Sequence, residues 1–72
     1  MSSATEVRAR KRVLRLIRVG LLPELLEEQG LLQSDVATFV GVDPSQVSRW
    51  LSGDQKPRPH HAARLLELLE AE

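Results

Sequence analysis

The stretch Ser45-Gln46-Val47-Ser48-Arg49-Trp50-Leu51-Ser52 gathers hydrogen-bonding side chains at helical spacing. Stepped at about 100° per residue, Val47, Trp50 and Leu51 share one side. Ser45, Arg49 and Ser52 fall opposite, with Gln46 and Ser48 on the shoulders. The outer arc is polar throughout and carries no carboxylate, which suits a groove walled by phosphates. A guanidinium presents a planar fork of donors that matches guanine in the major groove, a role open to Arg49. A carboxamide pairs with an adenine edge, a role open to Gln46.

Other constellations lead to weaker chemistry. His60 and His61 are neighbours, and adjacent residues on a helix do not face each other. With no cysteine in the chain, there is no thiolate zinc site, disulfide or thiol nucleophile, and no metal or cofactor is expected. Glu24, Glu27 and Glu28 lie within two turns of one helix and, with Asp35, read as solvated surface rather than acid–base catalysts. No Ser/His/Asp set or glycine-rich phosphate loop has a supporting context, so no enzyme is expected. Trp50, spaced with Val47 and Leu51, reads as core rather than as an exposed stacking platform.

Helices must position these groups. Asp43 is placed as an N-cap, Pro44 takes the first helical position, Gln46 stands three after the cap, and Gly53 stops the helix after Ser52. Before it, residues 33–40 read as a helix with Val36, Ala37 and Val40 inward, ended by Gly41. Two helices joined by the short turn Gly41-Val42-Asp43 form a helix-turn-helix unit. Upstream, residues 1–4 read as a frayed end and residues 5–19 as a helix capped by Thr5, with Glu6 in its first turn. Val13, Leu14, Ile17 and Leu21 fall on one side of it, and Arg8, Lys11, Arg12, Arg15 and Arg18 on the other. Arg10 lies on the apolar side, so packing is expected from Val13 onward. Gly20 and Pro23 break the pattern. A helix over residues 22–29 follows, with Leu22, Leu25 and Leu26 as its core face and Gly30 as its left-handed end. Pro59 opens a last helix over 59–70, with Ala62, Leu65, Leu66 and Leu69 as its stripe. The fold class is all-α: a compact bundle of four to five short helices. Residues 1–20 form a basic N-terminal helix or extension and residues 21–72 the helix-turn-helix domain.

At 72 residues the chain is one small domain with a limited core. Its 42% hydrophobic content is too high for a disordered chain, and no apolar run approaches the roughly 20 residues of a membrane span. No secretion signal is visible, so the expected compartment is the cytoplasm. The formal charge is zero, but the charges are segregated. Over residues 1–20, Arg8, Arg10, Lys11, Arg12, Arg15 and Arg18 face Glu6 alone, whereas residues 21–42 carry Glu24, Glu27, Glu28 and Asp35 and no base. A polyanion senses local patches within a Debye length of about 10 Å, so neutrality does not exclude nucleic acid.

Residues 30–69 resemble the lambda-repressor-like, Cro/C1-type (XRE) helix-turn-helix family. The likeness is carried by Gln33, Val36-Ala37, Gly41-Val42, Val47-Ser48-Arg49-Trp50-Leu51, Gly53, Pro57 and Leu65-Leu66. It implies a helical bundle whose second motif helix enters the major groove of double-stranded DNA, as a dimer on a palindromic operator. It implies a repressor or Cro-like regulator of phage or bacterial type. Ser45, Gln46 and Arg49 would then read bases, and Gln33, Ser48, Ser52, Lys56 and Arg58 would contact phosphate or sugar. The sequence departs from the family at Leu32, where Ser or Thr often caps, and at Pro44, where a base-contacting polar side chain often stands. The basic N-terminal helix lies outside the likeness; Arg8, Lys11, Arg12 and Arg15 read either as further DNA or partner contacts or as a solvated face. Two other functions fit parts of the pattern. One is a protein-interaction module of the same fold, an antitoxin or anti-repressor docking through the acidic 24–28 surface. The other is a membrane-surface helix over residues 5–19, which lacks the aromatic anchors such helices carry.

Overall fold

A computed structural model describes residues 3–71, which form five helices. They are α1 (Ala4–Arg18), α2 (Leu21–Glu28), α3 (Gln33–Val40), α4 (Pro44–Ser52) and α5 (Pro59–Glu70), with no strand among the described residues. Met1 and Ser2, part of the expected frayed end, lie outside the described residues, as does Glu72.

The expected fraying of Ser3 and Ala4 does not occur, because Ser3, not Thr5, caps α1. Its Oγ accepts from the Glu6 N–H at 3.1 Å, and the Glu6 carboxylate accepts from the Ser3 N–H at 3.0 Å. This reciprocal pair satisfies two otherwise orphaned donors. Packing also begins a turn earlier than Val13: Ala9 is buried. Arg10 is tolerated at the edge of the apolar side because its Nε donates to the Pro57 carbonyl at 3.1 Å. Leu21 departs from the expected stripe and is 45% exposed. Gly20, at φ +75°, turns the chain between α1 and α2, so Leu21 does not continue the face of α1 and Leu22 goes inward instead. Leu14, Ile17 and Leu25 are half-buried.

The boundaries of α3, α4 and α5 agree with the sequence reading. At the turn, Gly41 takes φ +90° and its N–H donates to the Ala37 carbonyl at 2.8 Å, with the Val42 N–H adding a second bond to the same oxygen at 3.0 Å. Asp43 occupies the expected N-cap position, but its side chain makes no capping bond. Its backbone carbonyl instead accepts from Gln46 and Val47.

α1 lies along α5, and α3 packs against both α4 and α5. One core collects Val13, Leu22, Leu26, Val36, Ala37, Val47, Trp50, Ala62 and Leu65. Val13 is wholly buried, so α1 shares this core with the other four helices. A radius of gyration of 11.0 Å matches the roughly 11 Å of a compact chain this long, which leaves no helix projecting. Arg64 ties α3 to α5: its guanidinium carbon lies 4.1 Å from the Phe39 ring centroid and its Nη2 donates to the Phe39 carbonyl.

Trp50 is the largest fully buried side chain. Trp50→Ala is expected to cost about 3–5 kcal/mol, a large share of a small domain's stability. Urea unfolding followed by circular dichroism checks this, and a variant with the wild-type midpoint would put the indole outside the core. Beneath the indole, the half-buried His61 ring lies 5.7 Å away between centroids. Burial pushes its pKa below the ordinary value of 6.5, and the charges of His60 and Arg58 push the same way. The unfolded chain therefore binds this proton more tightly than the folded one. Stability is full above that ordinary value and is lost as pH falls through it and on through the lower folded value. The urea midpoint is expected to be lower at about pH 5.5 than at about pH 7.5, and His61→Gln to narrow the difference. An equal drop in the variant would assign the pH dependence to other groups.

Candidate nucleic-acid interface

The nine residues of α4 have one inner and one outer side. Val47 and Trp50 are fully buried and Leu51 half-buried, which turns Ser45, Ser48, Arg49 and Ser52 into solvent. Gln46 is half-buried at the margin. The Arg49 guanidinium has no hydrogen bond or ion pair to any described residue, so its donors are free for an incoming acceptor. The Ser52 hydroxyl is differently placed: it donates to the Arg49 carbonyl at 3.1 Å and accepts from the Asp54 N–H at 3.4 Å. A phosphate contact from Ser52 requires its proton to leave that local bond.

Gln33 is exposed at the first position of α3. Just before it, Leu32 takes the cap position, where a leucine side chain accepts nothing. The Asp35 carboxylate covers for it by accepting from the Leu32 N–H at 2.9 Å. Lys56 and Arg58 are exposed on the segment between α4 and α5. Two bonds fix that segment. The Gln55 N–H donates to the Arg49 carbonyl at 3.2 Å, and Arg10 reaches the Pro57 carbonyl from α1. Pro57 itself is buried. The polar outer side of α4 and the cations that follow it therefore belong to one rigid unit. Asp54 is exposed in the same segment and is its only acid.

The structure divides the basic side of α1. Lys11, Arg15 and Arg18 line a groove whose far wall is Gly53, Gln55 and Lys56. Arg8 and Arg12 line a separate depression against α5, with Glu67 and Glu70, and Arg12 pairs with Glu70 at 3.7 Å. Arg18 belongs with Lys56 as much as Arg15 does. Its spacing from Lys11 and Arg15 shows in the sequence; its proximity to residues 53–56 does not, because that depends on how α1 crosses the bundle. The same holds for the bond from Arg10 to Pro57. Among the described residues, no three His, Asp or Glu side chains converge as metal ligands, and no helix is long and apolar enough to cross a membrane.

A helix-turn-helix family model matches residues 24–71, which takes in most of α2 and all of α3, α4 and α5, and leaves α1 outside. No curated protein and no solved structure matches the chain. The family match spans two thirds of the sequence, and it falls on a glycine turn and an outward polar helix edge with the geometry such a unit needs. The chain belongs to the Cro/C1-type helix-turn-helix family of DNA-binding regulators.

Proposed function

We propose that the chain is a sequence-specific binder of double-stranded DNA that acts in the cytoplasm as a transcriptional repressor or Cro-like regulator. The observation that carries this reading is the outer side of α4: exposed Ser45, Ser48, Arg49 and Ser52, with Trp50 and Val47 buried directly behind. α4 enters the major groove, where Arg49 takes guanine through its two parallel donors and Gln46 and Ser45 contact neighbouring base edges. Gln33 at the start of α3, Ser48 and Ser52 on α4, and Lys56 and Arg58 beyond it hold the phosphates and fix the register. On the basic side of α1, Lys11 and Arg15 add sequence-independent affinity, whereas Arg8 and Arg12 lie against Glu67 and Glu70 of α5.

The functional division follows the chain. Residues 21–72 form the recognition domain, and residues 1–20 are a basic helix that supports it. One protomer offers few base contacts, each good bidentate pair giving about 1–3 kcal/mol of discrimination. A homodimer on a palindromic operator, with half-sites about one helical turn apart, doubles the readout. α5 supplies its contact surface, since Leu14 and Ile17 line the cleft between α1 and residues 53–56. Occupation of the operator then blocks polymerase.

A second reading has one observation in its favour. Exposed Leu21, Glu24, Glu27 and Glu28 form an acidic, partly apolar patch on α2, remote in chemistry from any DNA surface and suited to a protein partner. Docking there is compatible with DNA binding by α4.

Selection of bound duplexes from a random pool supplies the operator and the half-site spacing. On that operator, Arg49→Ala is expected to weaken binding about 5- to 150-fold, equivalent to about 1–3 kcal/mol, and to relax preference at one base position. Equal weakening on operator and random duplex would remove Arg49 from base reading.

A further inference from the structure

We propose that the groove between α1 and residues 53–56 is a second DNA-backbone site, in which Lys11, Arg15, Arg18 and Lys56 hold phosphates flanking the stretch read by α4. The inference rests on the reading of α4 as a duplex-binding helix and adds to it a surface outside the matched family region. Lys11, Arg15 and Arg18 follow the spacing i, i+4, i+7 and so share one face of α1. At about 1.5 Å per residue they span roughly 10 Å of helix. Successive phosphates of one strand are separated by rotation about the duplex axis as well as by the rise of about 3.4 Å, so a row of this length reaches two or three of them. Leu14 and Ile17 form the apolar side of the groove, and the one acid of its far wall, the exposed Asp54, stands between Gly53 and Gln55 without lining it.

The groove is fixed in place. Arg10 bonds α1 to the Pro57 carbonyl, and Gln55 bonds the opposite wall to the last turn of α4. The site is thus continuous with the C-terminal end of the recognition helix, and Lys56 belongs to both. Its cations also lack internal partners: the ion pairs among the described residues are Arg12–Glu70 and Arg64–Glu67, neither of which lines this groove. Four like charges around one apolar cleft repel one another, and a polyanion lying along them relieves that repulsion. Arg8 and Arg12 differ in this respect, since Glu67 and Glu70 share their depression and repel a phosphate there. The groove therefore separates five of the six N-terminal cations into a DNA-facing set and a set lying against the carboxylates of α5, with Arg10 held by Pro57.

The test uses the full chain and an operator selected by the wild type, with affinity measured against salt. K11Q/R15Q/R18Q is expected to reduce the log–log salt slope by about 0.9 per lost phosphate contact, between two and three in all. It should weaken operator and random duplex by the same factor and leave the base preference intact. R8Q/R12Q is expected to leave the slope near that of the wild type. K11R/R15K/R18K, which keeps the charges, should restore it, and thermal melts of all variants separate binding from folding. On a duplex trimmed to the bases selected, the wild type and the triple variant should converge. An unchanged slope in the triple variant overturns the proposal, and so does an equal slope loss in R8Q/R12Q, which would mean bulk charge rather than this groove. Retention of the DNA slope with loss of binding to anionic phospholipid vesicles would assign the groove to a membrane and overturn it too. Absence of any selected operator for the wild type would instead sink the duplex-reading role of α4, and the groove's role with it.

Discussion

Burial of the Trp50 indole sets the rotation of α4 about its own axis. The helix has fewer than three turns, so one wide side chain on its inner side decides which positions meet solvent. Rotation by one residue, about 100°, would bring Arg49 or Leu51 to the place of Trp50. The first alternative buries an unpartnered guanidinium at a cost of several kcal/mol, and the second leaves the indole in water and a void behind it. The native rotation avoids both. It follows that Ser45, Ser48 and Arg49 face outward as a consequence of core packing. The interface is specified by the residues behind it.

A chain of this length leaves little margin in its core, and α1 makes up part of it. Ala9 and Val13 are buried, and Leu16 and Ile17 pack at the edge of the cluster that holds Trp50. The helix therefore closes the bundle on one side while its other side presents cations. These two properties are inseparable in a truncated chain. Removing the first twelve residues takes away the Ser3–Glu6 capping pair, the Ala9 contact and the tie from Arg10 to Pro57 together with Arg8, Lys11 and Arg12. Any loss of affinity would mix lost charge with a loosened recognition helix, whereas charge-neutralising substitutions on the outer side leave the packing in place.

What the sequence made legible follows the range of the interactions. α3, α4 and α5 were readable to the residue because their ends are local chemistry: Gly41, Gly53, Pro44 and Pro59 stop or start helices whatever surrounds them. The inner and outer sides of α4 were readable because the 3.6-residue period separates apolar from polar positions within nine residues. The cap of α1 was missed by two residues, since Ser3 and Thr5 are both good caps and only the position of Glu6 relative to Ser3 closes the reciprocal pair. The helical period alone puts Leu21 on the stripe of α1, but the left-handed backbone of Gly20 resets the phase and turns it out. Asp43 stands where a cap should, yet a carboxylate in the right place need not turn toward the helix. The placement of α1 across the bundle was not legible at all. It depends on contacts between residues 40 or more apart, such as Arg10 with Pro57, which leave no periodic trace.

The zero net charge has a physical consequence that depends on molecular size. The molecule measures 31 × 27 × 22 Å, two to three Debye lengths at about 0.1 M salt. Surfaces separated by the width of the molecule are then electrically almost independent, and an anion at the surface senses chiefly the charges within about 10 Å of it. At about 0.01 M salt the Debye length grows to about 30 Å, comparable to the whole molecule. Glu24, Glu27 and Glu28 then contribute to the field over the whole surface and oppose any approaching polyanion. Segregated charge on a neutral chain thus gives local attraction at ordinary ionic strength, together with a brake on non-specific association when salt is low. A uniformly basic domain of the same size has the attraction without the brake.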